Sequence, residues 1–251
     1  AFFQKAMSYG YISQDAKKRS ELEQFISTYK NSKLRDDAMY ALGDSYVKSG
    51  DDAKAIQTFD RLISEYKTSP FNSKAQLRQG LVFYNKNDNQ RALTKLKAVA
   101  ENYPNSAEAN QAVSTARLIY IDLGQVDAYA AWVNTLDYVE VTNADLDNDT
   151  YEAAEKQFLD NNTNAAIKQF NNYLNQFPNG LHANSAHFYL AQMYFKKDLP
   201  DNAKPHFEYV VNQSQSEFTE EALLRLSQIQ LNQKDWNAAI PTLKRLEAES
   251  N

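Results

Sequence analysis

Between Asp36 and Pro70 apolar side chains recur at three- and four-residue intervals in two runs, with a short polar break between them. Leu42, Gly43 and Tyr46 fall on one face of a first predicted helix. Gly50, just after Lys48 and Ser49, is the usual punctuation of a helix C-terminus. Asp51 and Asp52 then supply an N-cap and an acidic first turn for a second helix. Its apolar stripe is Ala55, Ile56, Phe59, Leu62, Ile63 and Tyr66. Small residues at Gly43 and Ala55 let the two backbones approach, and the bulky neighbours close over them.

The same hairpin recurs along the chain. Ala92, Leu96 and Tyr103 lie 37 residues beyond Ala55, Phe59 and Tyr66. Ala128 and Trp132 follow 36 beyond Ala92 and Leu96; Ala166, Phe170 and Phe177 come next, then Ala203 with Phe207 and Ala239 with Leu243. First-helix markers keep the beat at Gly43, Gly80, Ala116, Ala154, Ala191 and Ser227. A step back of 37 reaches Ala6, Tyr9 and Tyr29, so the pattern predicts seven hairpins. The least regular stretch is Asn143 to Thr150, rich in Asp and Asn, which reads as a longer loop or a shifted helix start. A bend or irregular junction is expected at 141–150. Pro200 sits at a favoured first-turn position, Pro205 lies deeper, and Pro241 falls a full turn inside its helix, where it is expected to cost a hydrogen bond and a kink.

Leu-Gly-x-x-Tyr, then Ala, Phe and Tyr-Pro, on a two-helix period resembles the tetratricopeptide repeat, a unit of about 34 residues. Here roughly three residues are added per unit, in links such as EYKTSPFNSKA and NQFPNGLHANSA. The resemblance implies an all-α, right-handed α-solenoid of about seven antiparallel hairpins, a single domain over 1–251. The Tyr/Phe-Pro-x-Ser/Gly link is most similar to bacterial envelope members of the family, which implies a periplasmic or outer-membrane-associated setting, with the cytoplasm as the alternative. Such proteins bind partner proteins or peptides along the first helices. Carried over by alignment, the candidate partner-binding residues are Tyr40, Asp44, Tyr84, Arg117, Tyr120, Tyr151, Glu155, Phe188, Gln192 and Phe195. Aromatic side chains are preferred interface anchors. The competing reading is that most of these rings pack against the neighbouring helix.

Composition narrows the chemistry. The 251 residues carry a net charge of −5, which argues against a nucleic-acid footprint. No apolar run approaches the ~18 residues of a membrane span, and there is no cysteine for disulfide or thiolate chemistry. Asp145, Asp147 and Asp149 alternate like a calcium loop, but Thr150 replaces the needed Gly and Lys156 the bidentate Glu, so a helix-capping acidic segment is expected. His182, His187 and His206 lack metal spacing. Catalytic residues, metal sites and cofactors are therefore not expected. The chain opens AFFQKAMSYG, in phase with the repeat and without a leader pattern, as a segment of a longer protein would. The leading expectation is a non-catalytic interaction scaffold for a protein or peptide; the alternative is a structural spacer or oligomerisation segment.

Overall fold

A computed structural model describes residues 1–249, and all secondary structure in them is helical. Among the described residues fourteen helices form seven hairpins: α1 (Phe2–Tyr11) with α2 (Asp15–Thr28), α3 (Arg35–Lys48) with α4 (Asp52–Glu65), α5 (Asn72–Asn85) with α6 (Asn89–Asn102), and α7 (Ala107–Asp122) with α8 (Val126–Val133). They continue with α9 (Asn143–Leu159) and α10 (Thr163–Gln176), α11 (Ala183–Lys196) and α12 (Pro200–Asn212), and α13 (Thr219–Asn232) and α14 (Trp236–Glu249). Two compact units emerge. One is Ala1–Ile119 with Ala131–Glu140; the other is Tyr120–Ala130 with Val141–Asn251. From α1 to α6 and from α9 to α14 each helix packs chiefly on the next in the chain, which is how a solenoid buries faces that no single hairpin can cover.

A left-handed residue closes each hairpin. These stand at Ser13, Gly50, Asn87, Gly124, Asn161, Asp198 and Lys234, 37 residues apart except for a final step of 36. At Gly50 the amide donates to the Val47 carbonyl and the Asp51 amide to that of Tyr46, both 3.0 Å, the paired C-terminal bonds of a Schellman turn. The other six turns repeat this pairing. Only two use Gly; Asn serves twice because its short amide tolerates a positive φ. Asp51 and Asp88 then accept from the backbone amides of Lys54 and Arg91 as N-caps.

Counted from these turns, the sequence alignment slips by one residue in the fourth hairpin. Tyr129 and Val133, both buried, stand where Ala55 and Phe59 stand in the second, and Ala128 is exposed. Spacing of a small and a bulky residue pointed to Ala128 and Trp132; the left-handed turn at Gly124 sets the true register. Arg117, not Ala116, consequently occupies the Gly43 position.

Elsewhere the small residues do what the pattern requires. Ala55, Ala92, Ala166, Ala203 and Ala239 are all buried between helices. An added Cβ at Gly43 would lie 2.4 Å from Phe59 Cε1, and one at Gly80 would lie 2.8 Å from Leu96 Cδ2, so those contacts exist because no side chain is there. In the first hairpin Lys18 replaces the alanine and lays its stem against Gly10.

Links between hairpins are stitched by polar bonds. Arg35, buried at the start of α3, donates to the Ile26 carbonyl (3.0 Å), Glu65 (2.5 Å) and the Tyr66 hydroxyl (3.0 Å). Asn72 donates to the carbonyls of Tyr66 and Lys67. In the second unit the acidic stretch is helix. Thr142 and Asp145 form a reciprocal capping box and α9 starts at Asn143. Asp147 and Asp149 lie beyond that cap, buried on α9. Asp147 accepts from the Tyr173 hydroxyl at 2.6 Å and from the Leu181 amide at 2.8 Å, tying α9 to the link that follows α10. Helix α14 runs through Pro241 to Glu249; nothing in its packing explains that proline.

Candidate functional site

The first helices of each unit turn one face away from their partners. Residues ten, nine, six and three positions before the left-handed turn share it, because a helix returns to the same side every three to four residues.

In the first unit this face carries Tyr40 and Asp44 on α3 and Arg78 and Tyr84 on α5. Asp44 receives Arg78 Nη2 at 3.1 Å and Lys48 Nζ at 3.0 Å. Tyr40 is half-buried, its ring stacked on Phe71 at 5.2 Å and tilted against Phe59 at 6.0 Å. Tyr84 is half-buried at the last position but one of α5. Tyr40, Leu77 and Arg78 line a shallow recess of about 380 Å³ that continues to Glu108 and Gln111 of α7. A second recess, of about 270 Å³, opens on the other side of α3, between α2 and α4, over Met39 and Leu42.

In the second unit Gln192 and Phe195 of α11 and Arg225 of α13 line a recess of about 210 Å³ floored by Phe207. The Arg225 guanidinium lies over the Phe195 ring, 5.3 Å from its centre, and bonds Glu221 at 3.1 Å. The same guanidinium donates to Glu221 through Nε and Nη2 and to Gln228 through Nη1 at 3.3 Å, so cation, ring and carboxylate are held together on this face. Neighbouring Phe158 packs on Tyr189 at 4.7 Å. Burial pushes the Tyr189 hydroxyl pKa up, with Glu155 and Glu217 adding to it.

The ten residues singled out from the sequence divide between surface and interior. Tyr40, Asp44, Tyr84, Arg117, Glu155, Gln192 and Phe195 are half-buried, with part of each side chain at the surface. Tyr120, Tyr151 and Phe188 are buried. Tyr120 faces Tyr129 at 6.1 Å; the one-residue slip in the fourth hairpin had placed it, and Arg117, on the outward face. Tyr151 stacks on His182 at 4.2 Å and donates to Glu155 at 3.0 Å. Burial, followed by Glu155, raises its pKa. Phe188 stacks on Phe218 at 4.6 Å. Arg78, Tyr189 and Arg225 were missed; all three stand nine before their turns, a position that helical periodicity includes in the same arc.

A separate polar cluster sits between α11 and α12. His187 and His206 face each other Nδ1 to Nδ1 at 2.7 Å, and His187 stacks on Tyr209 at 3.7 Å. Two nitrogens at that distance share one proton. Burial, then the charge on His206, depresses the His187 pKa to about 4; burial lowers that of His206. His182 stands apart, bonded to Asn148 at 2.7 Å. Among the described residues no three His, Asp or Glu side chains are grouped to hold a metal ion, and no helix is long and apolar enough to cross a membrane.

The comparisons with known proteins agree with this architecture. A family model described as a tetratricopeptide repeat-like domain matches residues 123–250, and a tetratricopeptide repeat model matches 22–72 and 40–107. No curated protein matches the sequence. Among solved structures, a tetratricopeptide repeat protein from Parabacteroides merdae is 14% identical over 100% of this chain and 92% of its own, with TM-score 0.47. The TPR2AB domain of yeast Sti1 in its pHSP90 complex is 14% identical over 96% and 86%, TM-score 0.47. Naa15/Naa10 bound to HypK-THB is 13% identical over 98% of this chain and 36% of that one, TM-score 0.50.

Proposed function

The chain belongs to the tetratricopeptide repeat family, and from that premise we propose that it is a non-catalytic scaffold holding a partner protein or peptide on the outward faces of its first helices. One observation carries this reading. In each unit that face sets a half-buried aromatic ring beside a paired arginine and carboxylate: Tyr40 with Arg78 and Asp44, and Phe195 with Arg225 and Glu221. Rings give apolar contact at low entropic cost, and the charge pairs offer both a donor fork and an acceptor to a backbone or polar side chain. The fitting partner is an extended or helical segment with spaced apolar side chains and mixed charge. Crosslinking in cells tests it. Chains with Tyr84→Ala and Arg78→Ala, or Phe195→Ala and Arg225→Ala, should lose a crosslinked partner that the parent chain captures. Retention of every partner by both variants would refute the assignment of this face.

We further propose a bacterial envelope setting, supported by the Tyr/Phe-Pro-x-Ser/Gly links and their resemblance to envelope members of the family. Protease accessibility of the full-length protein in intact and osmotically shocked cells tests it: protection in both would place the protein inside.

A further inference from the structure

The sixth hairpin sets two titratable rings face to face inside a helix pair. Eleven residues before the left-handed turn and eight after it, other hairpins hold Met39 and Thr58, Thr150 and Gln169, or Leu223 and Thr242; the sixth holds His187 and His206. Both are half-buried. Their ring centres lie 4.9 Å apart and their Nδ1 atoms 2.7 Å apart, so the two nitrogens point almost straight at one another around one proton. A first added proton goes to an outer nitrogen and leaves this N–H···N bond intact. A second must go to the accepting Nδ1, which brings two N–H groups and two positive charges together.

Nothing around the pair offsets that second charge. The titratable groups against it are phenols: Tyr209 of α12 lies flat on His187 at 3.7 Å, and Tyr194 of α11 lies parallel to His206 at 5.9 Å. From α10 comes the uncharged Asn171, which donates to the Tyr194 hydroxyl at 3.2 Å. Lys204 of α12 is turned toward Asp235, and α13 shares an apolar core with Phe207, Val210 and Val211 of α12. Among the described residues no carboxylate touches either ring. Burial holds both histidines below their ordinary pKa of 6.5, and the charge on His206 lowers His187 further. The paired arrangement therefore binds fewer protons than a parted one, and acid favours parting.

The backbone beside the pair is already weakened. Pro205 has no amide to give the Asp201 carbonyl, so α12 lacks a helical bond next to His206. One residue on along each helix, about 100° round it, Phe188 and Phe207 meet edge to face at 6.5 Å, and Phe207 meets Phe195 at 6.3 Å. Phe207 floors the recess lined by Gln192, Phe195 and Arg225.

We propose that His187 and His206 are an acid-operated latch: their shared proton holds α11 to α12 at neutral pH, and protonation of both rings parts the two helices and dismantles the recess over Phe207. The opening is local to the sixth hairpin. Its consequence for a partner rests on the first-helix reading above; the opening itself does not.

Amide hydrogen exchange of the full chain at pH 7.5 and 5.0, with labelling times scaled for the chemical step, tests the latch. Peptides from α11 and α12 should lose protection about ten-fold or more at pH 5.0, while those from α9 and α10 stay within about two-fold. In a His187→Phe/His206→Leu chain the two sets should respond alike. His206→Gln keeps a hydrogen-bonding partner for His187 without a second titrating ring and should behave the same way; it decides the matter if the double variant is unprotected at pH 7.5. Nitrogen-15 spectra of labelled histidine should show one protonated and one bare Nδ1 at pH 7.5. Equal acid response of the two hairpins in the parent chain, an undiminished response in the folded variants, or two bare Nδ1 atoms at pH 7.5 overturns the proposal. The exchange readout needs no partner, so a recess that captures none overturns the first-helix reading alone.

Discussion

Replacing Gly43 by alanine tests the nesting of paired helices directly. In an exposed helix that change would stabilise by about 1 kcal/mol through backbone entropy. Here the new Cβ would stand 2.4 Å from Phe59 Cε1 and 2.8 Å from Cδ1 and Cζ. Phe59 is fully buried and its ring lies against Tyr40 at 6.0 Å, so it has nowhere to retreat. Overpacking of this sort costs ~2–3 kcal/mol, which outweighs the propensity gain and leaves a net loss of ~1–2 kcal/mol. Gly80 is the internal control. Its added Cβ meets Leu96 Cδ2 at 2.8 Å and Cγ at 3.0 Å, a milder clash with an equally buried side chain, so Gly80→Ala should cost less than Gly43→Ala, ~1 kcal/mol or below. Urea unfolding followed by circular dichroism reads both, the first as a midpoint lowered by roughly 0.5–1 M. Phe59→Leu, which copies the third hairpin, should relieve Gly43→Ala, giving a coupling of ~1 kcal/mol in the double-mutant cycle. A Gly43→Ala chain as stable as the parent would refute the account of why glycine stands there.

Four other outcomes follow from single contacts. Lys234 holds a φ of +59°, so Lys234→Gly should gain ~0.5–1 kcal/mol in thermal or urea unfolding, while Gly50→Ala, at +76°, should lose about 1 kcal/mol. Arg35→Met strands the Ile26 carbonyl and the Tyr66 hydroxyl inside the first unit, and a loss of ~2–3 kcal/mol is expected on the same assay. Burial and then His206 hold His187 at about 4, below its ordinary 6.5, and His206 is lowered too. The folded chain therefore binds fewer protons than the unfolded one in this window; stability is complete above about pH 6.5 and falls as pH drops toward 4, by ~1–2 kcal/mol after allowance for partial exposure. Urea midpoints across that range should fall less steeply in a His187→Phe/His206→Leu chain. Ala166→Arg drives a long charged side chain into a fully buried site between α9 and α10; a loss of ~3 kcal/mol or more is expected, and unchanged thermal unfolding would contradict the packing.

Hydrophobic spacing by itself determined the fold class, the hairpin and nearly all of the register. A helix face needs only side chains three and four apart, and close helix contact needs small ones, so Ala55, Ala92, Ala166 and Ala203 declare themselves locally. The same information failed in the fourth hairpin. There Ala128 and Trp132 imitate the pattern one residue early, and the register is set by a backbone requirement, the positive φ at Gly124. Turns at Ser13 and Lys234 are silent in the sequence, because neither residue favours the left-handed region; packing of the helices on either side imposes it. Burial was the other tertiary decision. Tyr40 and Tyr151 look alike along the chain, yet one is half-buried beside Asp44 and the other lies under His182. What covers a side chain comes from the next helix, which the spacing along its own helix does not name.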